Sequence, residues 1–218
     1  MPQKKENIAA AVVATTTLIG VSGSGLILTR AEYWQVLNVA SYRNLRQLLT
    51  GVSGIAAIVR DGAEPLTQTR EVRADQYGIR TMLLVADQPI KFEIVLEGRI
   101  ELATPGASDE VCSIATLAPL DMATSKLLTN SDRWGDDGVF NCDIIDLAMM
   151  NPSLALLRSA VAKAETAYGL AIRQDLDKAF QRLQNRHGWL ERCMQAMAMN
   201  LPKALVWQKL RALRRVLR

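Results

Sequence analysis

The sequence predicts an α+β protein in which strands come first and helices follow. Three observations carry this. Two strand-like runs, IRTMLLVA at 79–86 and IKFEIVL at 90–96, flank the turn-forming triplet Asp87-Gln88-Pro89, so they read as a hairpin. From about residue 116 onward, apolar side chains recur at the three- and four-residue spacing of helices. Between the two lies TPGASDE at 104–110, the kind of stretch that separates regions. Strands and helices segregated along the chain, rather than alternating, define the α+β class. The chain therefore reads as an N-terminal arm over 1–40, a sheet region over 41–115 and a helical region over 116–218.

In order along the chain, SYRNLRQLLT at 41–50 is expected to be helical, with Leu45, Leu48 and Leu49 on its apolar side. Ile55–Val59 is a short apolar strand candidate. In the second hairpin strand Ile90, Phe92, Ile94 and Leu96 share one face, and Lys91, Glu93 and Val95 the other. Gly98 then turns the chain into IELA at 100–103. The first long helix carries Leu117, Leu120, Leu127 and Leu128, with Pro119 tolerated in its first turn. Asp143–Met150 starts a second helix. Residues 153–168 form a third, ended by Gly169, and 171–186 a fourth, ended near His187-Gly188. Two more follow, separated by Pro202. No internal repeat is present.

Over 218 residues, 49% are hydrophobic and 22% charged, which suits one large or two small domains with a real core. Residues 1–60 carry six basic and two acidic side chains, and 203–218 six basic and none acidic. With +4 overall, the stretch 61–202 is net −6. Cys112, Cys142 and Cys193 are odd in number, far apart and without metal spacing, which points to a reducing compartment without a disulfide framework. A lone histidine, His187, rules out a histidine metal cage and argues against a Ser-His or Cys-His triad. No run of 18 strictly apolar residues occurs. IAAAVVATTTLI at 8–19, after Lys4 and Lys5, has the character of a signal-peptide core, but no small-x-small cleavage site follows. A cytoplasmic protein without a membrane partner is the expectation.

The charged residues around SDRWGDDG at 131–138 are the candidates for chemistry. This loop is expected to reverse the chain and bring a lysine-bearing helix beside one that opens with two acids. Asp143 and Asp146, at i and i+3, share a helix face; they serve either a site or the positive end of the helix dipole. Lys126, at the edge of a leucine stripe, is either a snorkelling surface lysine or a fixed cation for phosphate, and Arg133 in the loop is a second candidate cation, which the resemblance given below makes nucleotide-binding. Glu93 is either an exposed acid on the wet face of a half-buried sheet or a rigid carboxylate for a divalent metal.

Taken together, IKFEIVLEGRIEL (90–102), KLL (126–128) with DRW (132–134) three residues on, and DIIDLAMM (143–150) resemble the AbiEii/AbiGii family of nucleotidyltransferase-fold toxins from bacterial toxin–antitoxin and abortive-infection systems. YRNLR (42–46), REVRADQYGIRT (70–81), AYG (167–169) and WLERCMQAM (189–197) extend the resemblance over about 41–200. The resemblance implies a polymerase-beta-like mixed sheet, a nucleoside triphosphate with Mg²⁺ (or Mn²⁺) as cofactor, and nucleotidyl transfer to an acceptor such as tRNA. A cognate antitoxin would be a partner. By resemblance Glu93 is the sheet carboxylate and metal ligand, Lys126 the helix lysine, and Asp143 and Asp146 the later acidic motif of the catalytic set.

The resemblance stops before residue 41. Members of the family carry a Gly-Gly or Gly-Ser turn whose backbone N–H groups cradle phosphate, followed by Asp-x-Asp. Here no Asp occurs before Asp61, and Glu32 is the sole acid between Glu6 and Asp61. Gly23-Ser24-Gly25-Leu26 can be coded by bases that, read one nucleotide on, give Asp-Leu-Asp. Losing two metal carboxylates removes most of the stabilisation of developing charge in such a transfer. The alternative function is therefore a catalytically inactive member that binds a nucleotide or a partner. The basic stretch 203–218 either contacts RNA phosphates or is an amphipathic helix in which Trp207, Leu210, Leu213 and Leu217 pack while the arginines face water.

Overall fold

The computed structural model describes residues 21–22, 25–26, 32–37, 39–58, 67–85, 88–104, 106, 108–111 and 114–218. The readings made for 1–20, including the signal-like run, lie outside the described residues, as do Cys112 and the Asp87 of the hairpin turn. Two compact units are present. The sheet unit holds the described residues from Glu32 to Ala118, and the helical unit is Pro119–Arg218. A two-stranded ribbon, β1 (Val21–Ser22) with β2 (Gly25–Leu26), groups with the latter.

In the sheet unit, strand β3 (Glu32–Leu37) leads into helix α1 (Val39–Leu49), followed by the short strands β4 (Thr67–Gln68) and β5 (Arg73–Ala74). The long strands β6 (Gly78–Val85) and β7 (Gln88–Leu96) form the expected hairpin, but Gln88 and Pro89, expected in its turn, already belong to β7 and pair with Val85 and Leu84. A small ribbon of β8 (Glu110–Val111) and β9 (Ile114–Ala115) closes the unit. The sheet is mixed, in the order β3-β7-β6-β4, with β5 also on β6; β3 runs parallel to β7 and the other pairs are antiparallel. Register puts Arg80 opposite Glu93 and Gly78 opposite Val95. Gly78 is required there, because a Cβ at that position would lie 2.5 Å from the Ile94 carbonyl oxygen.

One sheet face and α1 make the core: Tyr42, Leu45, Leu49, Ile79, Leu83, Phe92 and Ile94, with Ile55 beside them. Tyr42, Leu45 and Leu49 follow helical spacing, and the Tyr42 hydroxyl donates to the Asp75 carbonyl at 2.5 Å. Leu48, expected on this stripe, is 37% exposed, because it lies a quarter-turn off the face that Tyr42 and Leu45 define. The expected strand at Ile55–Val59 is instead a 3-10 turn, Gly54–Ile58: Gly54 in the left-handed region (φ 49°) reverses the chain, and the Ala56 N–H bonds back to the Ser53 carbonyl at 3.0 Å.

The helical unit comprises α2 (Pro119–Arg133), α3 (Cys142–Met149), α4 (Leu154–Tyr168), α5 (Ala171–Asn185), α6 (Trp189–Ala196) and α7 (Lys203–Arg214), with a final 3-10 turn at Arg215–Leu217. At its centre is α3, where Asp143 through Ala148 are all buried, packed on α2 and α7. α5 buries Ile172, Leu176, Ala179, Phe180 and Leu183, a stripe of helical period. Ser153 caps α4 by accepting from the Leu156 N–H at 3.2 Å, and Gly169 (φ 58°) ends it. Among the described residues no helix is long and apolar enough to cross a membrane.

Candidate active site

In the helical unit, the segment between α2 and α3 is fixed from several sides. α2 does not end before Ser131, as the polar run suggested, but continues through Arg133. Its polar side chains find partners on neighbouring helices instead of competing with the backbone: Ser131 donates to Asp175 at 2.5 Å, and Asp132 accepts from the Tyr168 hydroxyl at 2.6 Å. Asp136 then accepts from the Gly138 N–H, opening a 3-10 turn at Asp137–Val139, and Asp137 is gripped by Arg182 of α5 and by Arg186, just past its end. Phe140 (φ 54°) and Asn141 (φ 47°) are both left-handed. The Asn141 amide donates to the Trp134 carbonyl at 2.9 Å and its oxygen accepts from the Trp189 indole N–H at 2.7 Å. The crowded charges of this segment are thus its fastenings, and they hold α3 beside α2.

That placement brings Lys126, Arg133, Asp143 and Asp146 together. The Lys126 amine donates to Asp146 Oδ2 at 2.6 Å and stands 3.8 Å from Asp143 Oδ1. Arg133 holds Asp143 with both prongs, Nε to Oδ2 at 2.7 Å and Nη2 to Oδ1 at 2.9 Å. Two positive and two negative charges make the cluster neutral. The acids lie beneath, with side chains of Asp143 and Asp146 only 3% and 8% exposed, while Lys126 and Arg133 keep 19% and 33%. Burial alone would hold the Lys126 amine below its ordinary value, but Asp146 and Asp143 outweigh it and the net direction is upward. The Arg133 guanidinium is likewise held protonated by Asp143 against burial. Burial and the two aspartates push the Cys142 thiol up to about 12, and burial does the same for Cys193, so neither is a thiolate nucleophile near neutral pH.

Glu93, in the sheet unit, belongs to a second ion array. Its side chain is buried, not on a wet face, because its own sheet face is covered by long cations. Arg80, directly opposite on β6, donates through Nε to Oε1 at 2.7 Å, and Lys91, two residues earlier on β7, lies 2.6 Å from Oε2. Arg80 also reaches Asp75 at 2.9 Å, whose carboxylate accepts the Tyr77 and Gly78 N–H groups in a turn. Burial works to raise the Glu93 carboxyl, yet Lys91 and Arg80 prevail and it titrates below its usual range.

A divalent cation does not fit this donor set. Both Glu93 oxygens already face a cation, and the aspartates of the helical cluster are engaged by Lys126 and Arg133. Among the described residues no group of three or more His, Cys, Asp or Glu side chains is arranged to hold a metal ion. A further pairing in the helical unit, the buried Asp121 with the partly exposed Lys163 at 2.5 Å, was foreshadowed only by an acid in the first turn of α2.

The architecture is α+β: a mixed sheet carrying a central acid, followed in the chain by a helical region with a lysine–aspartate cluster. A family model described as the nucleotidyl transferase AbiEii toxin of type IV toxin–antitoxin systems matches residues 38–215, and the chain belongs to that family. The match begins after β3, so the segment in which the Asp-x-Asp is missing falls outside it. Comparison with curated proteins and with solved structures gave no match.

Proposed function

We propose that this AbiEii-family protein binds a nucleoside triphosphate through Lys126 and Arg133 and, as a toxin of its system, transfers a nucleotidyl group from it to an acceptor such as tRNA. The observation that carries the binding reading is the layering of the helical cluster: buried carboxylates below, partly exposed cations above. An ammonium has three donors and a guanidinium five. Asp146 and Asp143 take one and two of them, which leaves donors for phosphate oxygens. Asp143 and Asp146 then act as positioning residues that fix the direction of the cations before the ligand arrives. Glu93 is retained, on family resemblance, as the sheet carboxylate of the catalytic set, and the work is proposed to be cytoplasmic, with a cognate antitoxin as partner.

The chain's own residues supply phosphate neutralisation and orientation. Mg²⁺ or Mn²⁺, expected from the family, finds no fitting donor set among the described residues, so no step is routed through it. A second reading, an inactive member that still binds nucleotide, is favoured by the absence of any Asp before Asp61 and by the occupied Glu93 carboxylate. The test is twofold. Titration of a fluorescent triphosphate analogue, with and without Mg²⁺, should give saturable binding that K126M and R133M weaken. Labelled nucleoside triphosphates incubated with total tRNA then separate the readings: transfer lost in E93Q supports the enzyme, and binding without transfer supports the inactive member. No saturable binding with any of the four triphosphates overturns both.

A further inference from the structure

A second basic feature lies in the helical unit, built by residues the nucleotide site does not use. Between α5 and α7 runs a groove of about 1070 Å³, continued by the final 3-10 turn. Among the described residues five arginines line it, against one acid, Asp177. Two of the five are fixed by the fold. Arg173 donates through Nε to Glu165 at 2.7 Å and through Nη1 to the Val216 carbonyl at 3.2 Å, tying the last turn to the bundle. Arg214 lies over the Phe180 ring and reaches Gln184 and Asp177, each at 3.2 Å.

The other three differ. Arg211, Arg215 and Arg218 are exposed, and their guanidinium groups make no hydrogen bond or ion pair with any described residue. Their spacing of four, three and seven places them on one side of the helix and its continuation, where like charges repel. A helix C-terminus favours a cation in its last turn. That effect explains neither why three unneutralised guanidinium groups border one hollow nor why the hollow is lined by Trp207 and Phe180. The expectation that Trp207 and Leu217 pack inside is corrected here: Leu210, Leu213, Val206 and Val216 form the buried face, while Trp207 and Leu217 are half-buried and border the groove.

We propose that this groove binds single-stranded nucleic acid, with backbone phosphates on Arg211, Arg215 and Arg218 and a base against Trp207. Free guanidinium forks match phosphate oxygens. From Arg211 to Arg218 the helix advances about 10 Å, roughly three nucleotides of a stacked strand. The volume lies just above the roughly 300–1,000 Å³ of small-molecule pockets, in keeping with a ligand that runs through rather than one enclosed. An aromatic ring in a basic groove accepts an unpaired base, whereas a duplex offers only backbone to it.

The full-length protein, without triphosphate, would be titrated into a fluorescein-labelled 12-nucleotide oligouridylate and, separately, oligothymidylate, over a range of KCl. The parent should bind with an affinity that falls with salt. In R211Q/R215Q/R218Q the slope of log K against log[salt] should be smaller by about 2, at ~0.7 per lost phosphate contact. Each single substitution should remove about a third of that, which covers the case of a poorly folded triple variant. W207L should weaken binding roughly tenfold through lost stacking. Comparison of the two strands decides RNA from DNA. The proposal is overturned if the variants match the parent in affinity and slope, or if inorganic polyphosphate binds as tightly and W207L affects neither ligand. It stands or falls apart from the nucleotide site: the triple arginine variant should bind triphosphate normally.

Discussion

Replacing Lys126 by methionine separates what the helical cluster does for the fold from what it does for a ligand. In the parent, the amine lies 2.6 Å from Asp146, whose side chain is 8% exposed. Methionine keeps the stem and removes the charge. Asp143 retains both bonds from Arg133, so the loss falls on Asp146, which has no other cation within ion-pair distance among the described residues. Removing one partner of a buried pair costs about 3–5 kcal/mol, because the remaining charge is stranded. For a chain of this length that corresponds to a fall in Tm of roughly 6–20 °C.

The double variant K126M/D146L supplies the control. Apolar side chains of similar volume in place of both members should restore stability to within about 1 kcal/mol of the parent, since desolvation of the pair offsets most of its attraction. Triphosphate affinity should stay lost, because no cation has been returned. Thermal melting and the fluorescent titration, run on parent, single and double variants, read the two quantities independently. A Tm of K126M within about 2 °C of the parent would refute the burial argument. A double variant that binds triphosphate like the parent would refute the phosphate role and leave the cluster as a packing pair.

On the acid side, Glu93 titrates below its usual range, so its stabilisation is fully present above pH 4.5 and disappears as pH falls through the lower folded value. Urea unfolding at pH 7 and pH 3.5 should show E93Q losing less stability between the two than the parent does. Gly78→Ala should destabilise the protein by about 1–3 kcal/mol, as its methyl group would need to displace the Ile94 carbonyl on the paired strand; denaturant midpoints test this. Trp189→Phe should cost about 1–3 kcal/mol by leaving the buried Asn141 oxygen without its indole donor, visible as a lowered Tm with triphosphate binding preserved at low temperature.

The hairpin, α1 and the six helices of the helical unit were legible because period and punctuation act locally. Alternation marked β7, Gly169 ended α4, and Pro202 parted α6 from α7. What the period does not state is whether a face is covered. Glu93 fell on the polar side of its strand, correctly, but the side chains above it are Arg80 and Lys91, and their length turns an open face into a closed ion array. The turn at Gly54–Ile58 escaped for a similar reason, since five small and apolar residues satisfy a strand and a 3-10 turn equally. The joining of Lys126 to Asp143 and Asp146 was readable from the chain reversal between their helices. The fastening of that reversal by Trp189 and Asn141, 48 positions apart, was not.

The two ion arrays share one design, and it bears on the class of ligand. In the sheet unit an almost buried Glu93 has Arg80 and Lys91 outside it; in the helical unit the buried Asp143 and Asp146 have Arg133 and Lys126 outside them. Each acid uses its lone pairs to hold a cation in place, so each array offers solvent its positive members. A divalent metal approaching either would have to displace an amine or guanidinium already at 2.6–2.7 Å, against the Coulomb repulsion of what it displaces. A polyphosphate meets the opposite situation: donors already oriented, their side-chain freedom already lost, and spare N–H groups on both Lys126 and Arg133. The order of burial, acids within and cations without, thus favours anion capture over metal capture at these residues. It makes a metal-free binding measurement the experiment on which the nucleotide assignment depends.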